Sequence, residues 1–305
     1  MGKVAFVFPG QGAQYPGMGQ ELAALSPAAA EIFRKADELR PGTSRQCFQG
    51  SEAELKETKI TQPCMFTVEV ATAAALEESG VHADMTAGFS LGELSALSFA
   101  NIVDFSTSFN LVCHRGALMQ TAAEAVPTAM AAVVRLSNET VEEVCAQFEG
   151  VYPVNYNCPG QGAVAGLKDT MPAFSAAVKA AGGRAIPLKV SGGFHSPFME
   201  TAADAFAALL EDVAFTAPRF PIYANCTGLP YEGDCKPLLA RQICSPVRWE
   251  AIVRHMIAQG VDTFIEVGPG NTLSGLIAKI DHTVRAFSVS DRESFENCVK
   301  EVTQC

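Results

Sequence analysis

The five residues Gly88-Phe89-Ser90-Leu91-Gly92 set a serine between two glycines, with apolar residues before them and Glu93-Leu94 after. A serine in a Gly-x-Ser-x-Gly pattern becomes a nucleophile where a strand turns sharply into a helix. A Cβ at either glycine would collide in so tight a turn. The hydroxyl then stands at a helix N-terminus, where free backbone N–H groups and the positive end of the dipole favour an oxyanion. The same pentad also suits an ordinary strand-to-helix turn. The chemistry therefore needs a base, an oxyanion donor and a substrate anchor from elsewhere in the chain.

Three other stretches offer those parts. His195 lies in Ser191-Gly192-Gly193-Phe194-His195-Ser196-Pro197, a glycine-flanked loop just before a helix. A lone histidine is commonly structural, and His82, His114 and His255 and His282 compete with it; of these His114, beside Arg115, is the main rival. The segment from Pro9 to Gly19 holds four glycines and two prolines in eleven residues. It is either a plain connection or a loop whose backbone N–H near Gln11 faces the serine. It lacks the GxxxxGK[ST] spacing and does not fit GxGxxG, so it is not a phosphate loop of those kinds. Arg115 shares a helix face with Leu111 and Leu118 by i, i+4 and i+3 spacing, which points a cation at the side to be buried. Such a cation is costly to desolvate without an anion, and the anion is either a substrate carboxylate or a protein one.

These residues need elements to place them. Val4–Phe8 is an apolar run of strand length ending at Pro9-Gly10, and Met85–Phe89 a second strand leading into the pentad. Residues 20–35 read as one amphipathic helix. Ser51 to Glu57 reads as a helix with a capping box, and Gln62 to Ser79 as a buried helix apolar nearly all round. A further helix opens at Asp104. Residues 127–190 change pattern, with strands at 129–136, 151–156, 163–167 and 184–190 and helices at 137–148 and 170–181. That β-α-β-β-α-β order is the order of a ferredoxin-like unit, a small subdomain inserted in a larger α/β one. The remainder returns to α/β, with strands at 220–225, 263–267 and 284–289, Asn271 placed to cap the helix after Gly268-Pro269-Gly270, and a helical tail to Cys305.

Composition excludes several classes. With 305 residues, 48% hydrophobic and 18% charged, the chain has the material for a large core. A net charge of −11 without a basic run argues against a general nucleic-acid binder. No run approaches 18 apolar residues, so no membrane span is expected, and Val4–Phe8 is too short for a secretory h-region. The ten cysteines (Cys47, Cys64, Cys113, Cys145, Cys158, Cys226, Cys235, Cys244, Cys298 and Cys305) show no CxxC and no metal spacing. They read as reduced thiols of a cytoplasmic protein.

Taken together, several motifs resemble those of the malonyl-CoA:acyl carrier protein transacylases and the related acyltransferase domains of polyketide and fatty-acid synthases. They are FPGQGAQYPGMG at 8–19, GFSLGE at 88–93, Arg115 in CHRGALMQ, NYNCPGQGAVAG at 155–166, SGGFHS at 191–196, QICSPVRW at 242–249 and EVGPGNTLSGL at 266–276. They span nearly the whole chain in the family's order. The resemblance implies an α/β-hydrolase-like large domain with a parallel sheet (1–126 and 191–305) and an inserted ferredoxin-like subdomain (127–190). It implies Ser90 as nucleophile and His195 as base, the latter oriented by a backbone carbonyl near Gln242 rather than by a carboxylate. The N–H groups of Gln11 and Leu91 would form the oxyanion hole. Arg115, with Phe194, Asn155 and Gln242, would bind substrate, Arg115 holding the malonyl carboxylate.

The implied reaction is a ping-pong transfer from malonyl-CoA to the phosphopantetheine thiol of an acyl carrier protein, by a monomer with no metal or prosthetic group. In similar domains Phe before the histidine accompanies malonyl and Ser there accompanies methylmalonyl. Hydrolytic relatives lack the arginine and alter the first glutamine, whereas Gln11 and Arg115 are both present. One departure is Phe89, where many members have His. The competing readings are a serine thioesterase or hydrolase of similar architecture, against which Arg115 speaks, and a non-catalytic carrier-protein docking module, which would need none of these residues.

Overall fold

The computed structural model describes residues 2–303. Met1, Gln304 and Cys305, the last of the ten thiols, lie outside the described residues; the nine described cysteines are all free. Strands are β1 (Lys3–Phe8), β2 (Met85–Gly88), β3 (Thr128–Val134), β4 (Val151–Cys158), β5 (Gln161–Leu167), β6 (Arg184–Pro187), β7 (Ile222–Tyr223), β8 (Val261–Val267) and β9 (Arg285–Val289). Five of them form an all-parallel sheet in the order β7-β2-β1-β8-β9. Alternate side chains of β1 enter two cores. Val4, Phe6 and Phe8 join one face, Ala5 and Val7 the other, as a strand covered on both sides by helices requires.

The order of the sheet reverses at β1, with β2 on one side and β8 on the other. The crevice beyond the C-terminal ends of such strands is where open α/β sheets hold ligands. Two long helices, Thr58–Glu78 and Phe105–Ala125, lie on the larger core beside it, the first buried along most of its length and the second capped by Asp104, whose side chain accepts from Thr107 N–H.

The other four strands form an antiparallel sheet in the order β4-β5-β3-β6. With helices Asn138–Cys145 and Met171–Ala180 this is a ferredoxin-like arrangement. The two helices, through Val141 and Phe174, share a small core with Val133 and Val164 on one face of the sheet. From the other face, Met130, Val154 and Ala165 join the large core. β4 is also tied to the large unit by backbone bonds, Tyr156 N to Val247 O (2.9 Å) and Val247 N to Val154 O (2.9 Å). The architecture is thus an α/β-hydrolase-like parallel-sheet unit carrying a ferredoxin-like insert.

Several local expectations shift. The helix read at 20–35 is two, Gln20–Leu25 and Pro27–Leu39, because Ser26 caps the second through Ala29 N–H and Pro27 starts it. Ser51 does accept from Glu54 N–H, at 3.1 Å, yet only a single 3-10 turn, Glu54–Lys56, follows. Asn271 sits at the N-cap of Thr272–Ile280 without capping it. The buried Glu266 carboxylate takes that place, accepting from Leu273 N–H (3.0 Å) and Ser274 N–H (2.8 Å).

Candidate active site

The elbow is a product of its glycines. A Cβ on Gly88 would stand 1.8 Å from Gly92 C, and one on Gly92 would stand 2.1 Å from Phe8 O. Ser90, between them, has φ 55°, a left-handed conformation that costs a non-glycine residue of the order of 1–3 kcal/mol. Asn225, just after β7, clamps it: Asn225 Oδ1 accepts from Ser90 N–H at 2.7 Å, and its Nδ2 donates to Gly88 O at 2.6 Å. Helix Gly92–Phe99 begins immediately beyond.

His195 reaches the serine from a loop more than a hundred residues away and shares its strained geometry, with φ 60°. Its Nδ1 lies 2.9 Å from the Gln242 carbonyl oxygen, and its Nε2 lies 2.7 Å from Ser90 Oγ. A carbonyl only accepts, so Nδ1 carries the proton and Nε2 is left to accept from the serine hydroxyl. His114, by contrast, is exposed on the outer side of its helix, and His255 bonds Tyr223 OH at 2.9 Å. Burial, and after it the Arg115 charge, push the His195 pKa down to about 4, against the opposing pull of the Gln242 and Ser245 backbone.

Arg115 is fully buried. It donates from Nη1 to Gln62 Oε1 (2.9 Å) and from Nη2 to Gln242 Oε1 (2.8 Å) and Ser90 Oγ (3.3 Å). Its Nε is buried with no acceptor among the described residues, and no carboxylate forms an ion pair with it there. Of the two anions weighed from helix geometry, a contacting protein carboxylate is therefore ruled out by the structure. Burial lowers the guanidinium pKa to about 10, opposed by the nearby Glu93 charge, so it stays protonated at neutral pH. Glu93 is itself buried, and desolvation raises it to about 7 against hydrogen bonds from Tyr231, Gln242 and Asn225.

Gln11, Ser90, Phe194 and His195, with Asn155 and Met130, line a cavity of about 110 Å³ between the two sheets. A second cavity of about 220 Å³ adjoins it, sharing Gln11, Phe89 and Asn155 and running on to Asn157 and Leu273. The N–H groups of Gln11 and Leu91 have no acceptor among the described residues. The Oδ1 atoms of Asn155 and Asn157 are buried and equally unpartnered. Phe89 walls both cavities and meets Trp249 edge-on, with ring centroids 5.7 Å apart. All eight residues singled out from the sequence thus converge on this crevice. Gln242, expected to bind substrate, spends its side chain on protein groups, Arg115, Ser90 and Glu93. Sequence reading missed Gln62, Glu93 and Asn225. A glutamine in a mostly apolar buried helix was the available signal for Gln62, one it shares with Glu69 of the same helix.

A serine–histidine pair in a parallel-sheet crevice, beside free N–H groups and a buried arginine with no ion pair among the described residues, has the parts of a serine acyl enzyme. The family model described as "Acyl transferase domain" matches residues 5–300. The malonyl CoA-acyl carrier protein transacylase of Bacillus subtilis (strain 168) is 39% identical, the match covering 98% of this chain and 97% of that protein. The crystal structure of malonyl CoA-acyl carrier protein transacylase from Clostridium perfringens superposes with a TM-score of 0.96 at 34% identity, covering 99% of this chain and 98% of that one. A malonyl-transacylase in complex with a type II PKS acyl-carrier protein superposes with a TM-score of 0.93 at 37% identity, covering 98% and 99%. The chain belongs to the acyl transferase family and, within it, to the malonyl CoA-acyl carrier protein transacylases.

Proposed function

We propose that this chain moves a malonyl group from malonyl-CoA to the phosphopantetheine thiol of an acyl carrier protein through a malonyl ester on Ser90. The observation that carries the reading is Arg115, a buried cation 3.3 Å from Ser90 Oγ with no carboxylate paired to it among the described residues. A hydrolase of neutral acyl groups has no use for it, whereas an acyl group ending in a carboxylate does. The relative seen in complex with an acyl-carrier protein supports the second substrate.

In the first half-reaction Ser90 Oγ gives its proton to His195 Nε2 and attacks the thioester carbonyl. The Gln242 carbonyl, accepting from Nδ1–H, steadies the imidazolium that forms. The tetrahedral oxygen takes hydrogen bonds from the N–H groups of Gln11 and Leu91, a contribution of about 3–4 kcal/mol for each donor. Collapse breaks the C–S bond, and the proton on Nε2 leaves with the thiol of CoA. The carrier thiol then gives its proton to Nε2, attacks the ester and returns Ser90 to its hydroxyl form. Arg115 holds the malonyl carboxylate throughout, and the cavity beside Asn155 and Asn157 gives the narrow arm of both thiols a way in. These steps run on side chains and backbone alone, so the reading includes no prosthetic group. Among the described residues no helix is long and apolar enough to cross a membrane; the reading places the enzyme in the cytoplasm as a monomer, with residues 1–126 and 191–305 as its large domain and 127–190 as the small one.

Transfer is separated from hydrolysis by supplying malonyl-CoA with and without a holo carrier protein. Malonyl should pass to the carrier far faster than to water, and release chiefly to water would overturn the assignment in favour of a thioesterase.

Two further outcomes follow from the site. With a His195 pKa near 4 in the free enzyme, the acid limb of kcat/KM should lie near pH 4 and not near the ordinary histidine value of 6.5. Binding a carboxylate neutralises Arg115, the second cause of the depression, so the limb in kcat should sit higher than that in kcat/KM. The same shift makes the folded state bind fewer protons than the unfolded chain between these values. Stability contributed by neutral His195 is therefore present above 6.5 and lost as pH falls toward 4. A pH–rate profile decides it, and a kcat/KM limb at 6.5 would contradict the buried neutral base.

Phe194, 7% exposed, walls the acyl cavity beside His195. Phe194→Ser should raise methylmalonyl relative to malonyl transfer about tenfold, the value of one methyl group in an apolar pocket. Competing the two CoA thioesters measures the ratio; an unchanged ratio would show that the ring does not exclude the methyl group.

A further inference from the structure

The serine, the histidine and the arginine all touch one residue, Gln242. Its carbonyl oxygen accepts from His195, its Oε1 accepts from Arg115, and its Nε2 donates to the Ser90 carbonyl at 2.6 Å. Behind it stands Glu93, a fully buried carboxylate that no step of the transfer uses. Gln242 Nε2 also donates to Glu93 Oε2 at 2.9 Å. Asn225 N–H reaches both carboxylate oxygens at 3.3 Å, and the Tyr231 hydroxyl donates to Oε1.

We propose that Glu93 is a positioning residue that sets the preference for acyl groups bearing a carboxylate, by fixing the Gln242 amide and through it the guanidinium of Arg115. This rests on the malonyl-transfer reading above. With Glu93 ionised, the chemistry of the groups leaves one arrangement. A carboxylate only accepts, so the Gln242 NH2 must face it, and the opposite end of that amide, the Oε1 acceptor, must then face Arg115. Arg115 can donate but not accept, so an amide turned the other way would set donor against donor. Asn225 couples the same carboxylate to the elbow, because the residue whose N–H meets Glu93 also holds Ser90 N–H through its side chain. The guanidinium and the nucleophile are thereby held in one frame, and the frame is anchored on Glu93.

Glu93→Gln tests this, since it keeps the shape while offering one oxygen where three donors converge. The readout is the rate of Ser90 acylation by malonyl-CoA relative to acetyl-CoA, which lacks the carboxylate. Positioning predicts that this ratio falls about fivefold, the difference between a hydrogen bond to a charged and to a neutral acceptor. A merely structural role would slow both acyl groups alike and leave the ratio unchanged. A purely electrostatic role would raise the ratio, since removing a negative charge near Arg115 favours a bound carboxylate. Either of those two results overturns the proposal. Should the variant fail to fold, Tyr231→Phe removes one tether of the same carboxylate, and a smaller fall in the ratio is expected; no fall overturns the proposal equally. A wild-type protein that takes no malonyl on Ser90 would instead remove the transfer reading itself.

Discussion

Ser90→Ala is expected to lower malonyl transfer by about a million-fold, the loss seen when the nucleophile of a serine–histidine pair is removed. The size follows from the geometry. Ser90 Oγ is the atom on which His195 Nε2 at 2.7 Å and Arg115 Nη2 at 3.3 Å converge. Without it the base has no proton to take, and no ester can form. What survives is whatever Gln11, Leu91 and Arg115 do for direct attack by a thiol or water. The fold should be kept, because alanine lacks only the hydroxyl, and the left-handed backbone at φ 55° strains serine and alanine alike. Asn225 still clamps the elbow through the backbone N–H. Steady-state transfer to carrier protein, with thermal unfolding as control, measures the effect. Activity within a hundredfold of wild type would mean that the elbow is structural.

The second large effect belongs to Arg115→Ala. Removing one partner of a buried charge pair costs about 2–5 kcal/mol, and in the proposed reading the other partner is the substrate's carboxylate. Malonyl transfer should fall about a thousandfold, while transfer of acetyl, which has no carboxylate to anchor, should fall much less. The variant thus loses its malonyl preference as well as its rate. Arg115→Lys is not a rescue, because an ammonium cannot serve Gln62, Gln242 and a carboxylate from one planar fork. Kinetics with both CoA thioesters measure the change. Equal losses on the two would show that Arg115 supports the elbow and does not read the acyl group.

Much of the site was legible in the sequence because its parts are local. The pentad around Ser90 dictates its turn through two glycines whose Cβ positions are occupied, at 1.8 and 2.1 Å, by backbone. Arg115 was placed on a buried face by helix spacing alone. The partner of that arginine was not legible, since periodicity cannot tell a substrate carboxylate from a protein one. Among the described residues no carboxylate forms an ion pair with it, which is what a substrate carboxylate would require. Glu93 and Asn225 were hidden for another reason. Glu93 stands inside the GFSLGE motif, but its role and that of Asn225 lie in contacts spanning more than a hundred residues, which local sequence does not show. Gln62 is one of several buried polar residues in its helix, with Thr61 and Glu69, and periodicity does not show which of them faces the site. In the fold, strand β7 was over-read at six residues and is two, because its register with β2 pairs only Thr86 with Ile222 and Ala87 with Tyr223. β6 ends at Pro187, with one further backbone bond from Leu188 N–H to Met130 O (2.9 Å), short of the strand expected to 190. The break at Ser26-Pro27 was overlooked because apolar spacing runs through it.

The covalent intermediate is the centre of the account, and mass spectrometry of the protein after incubation with malonyl-CoA tests it most directly. A single malonyl adduct on the peptide containing Ser90, absent from Ser90→Ala and discharged by a holo carrier protein, is the predicted result. An unmodified Ser90 in a protein that still transfers malonyl would contradict it.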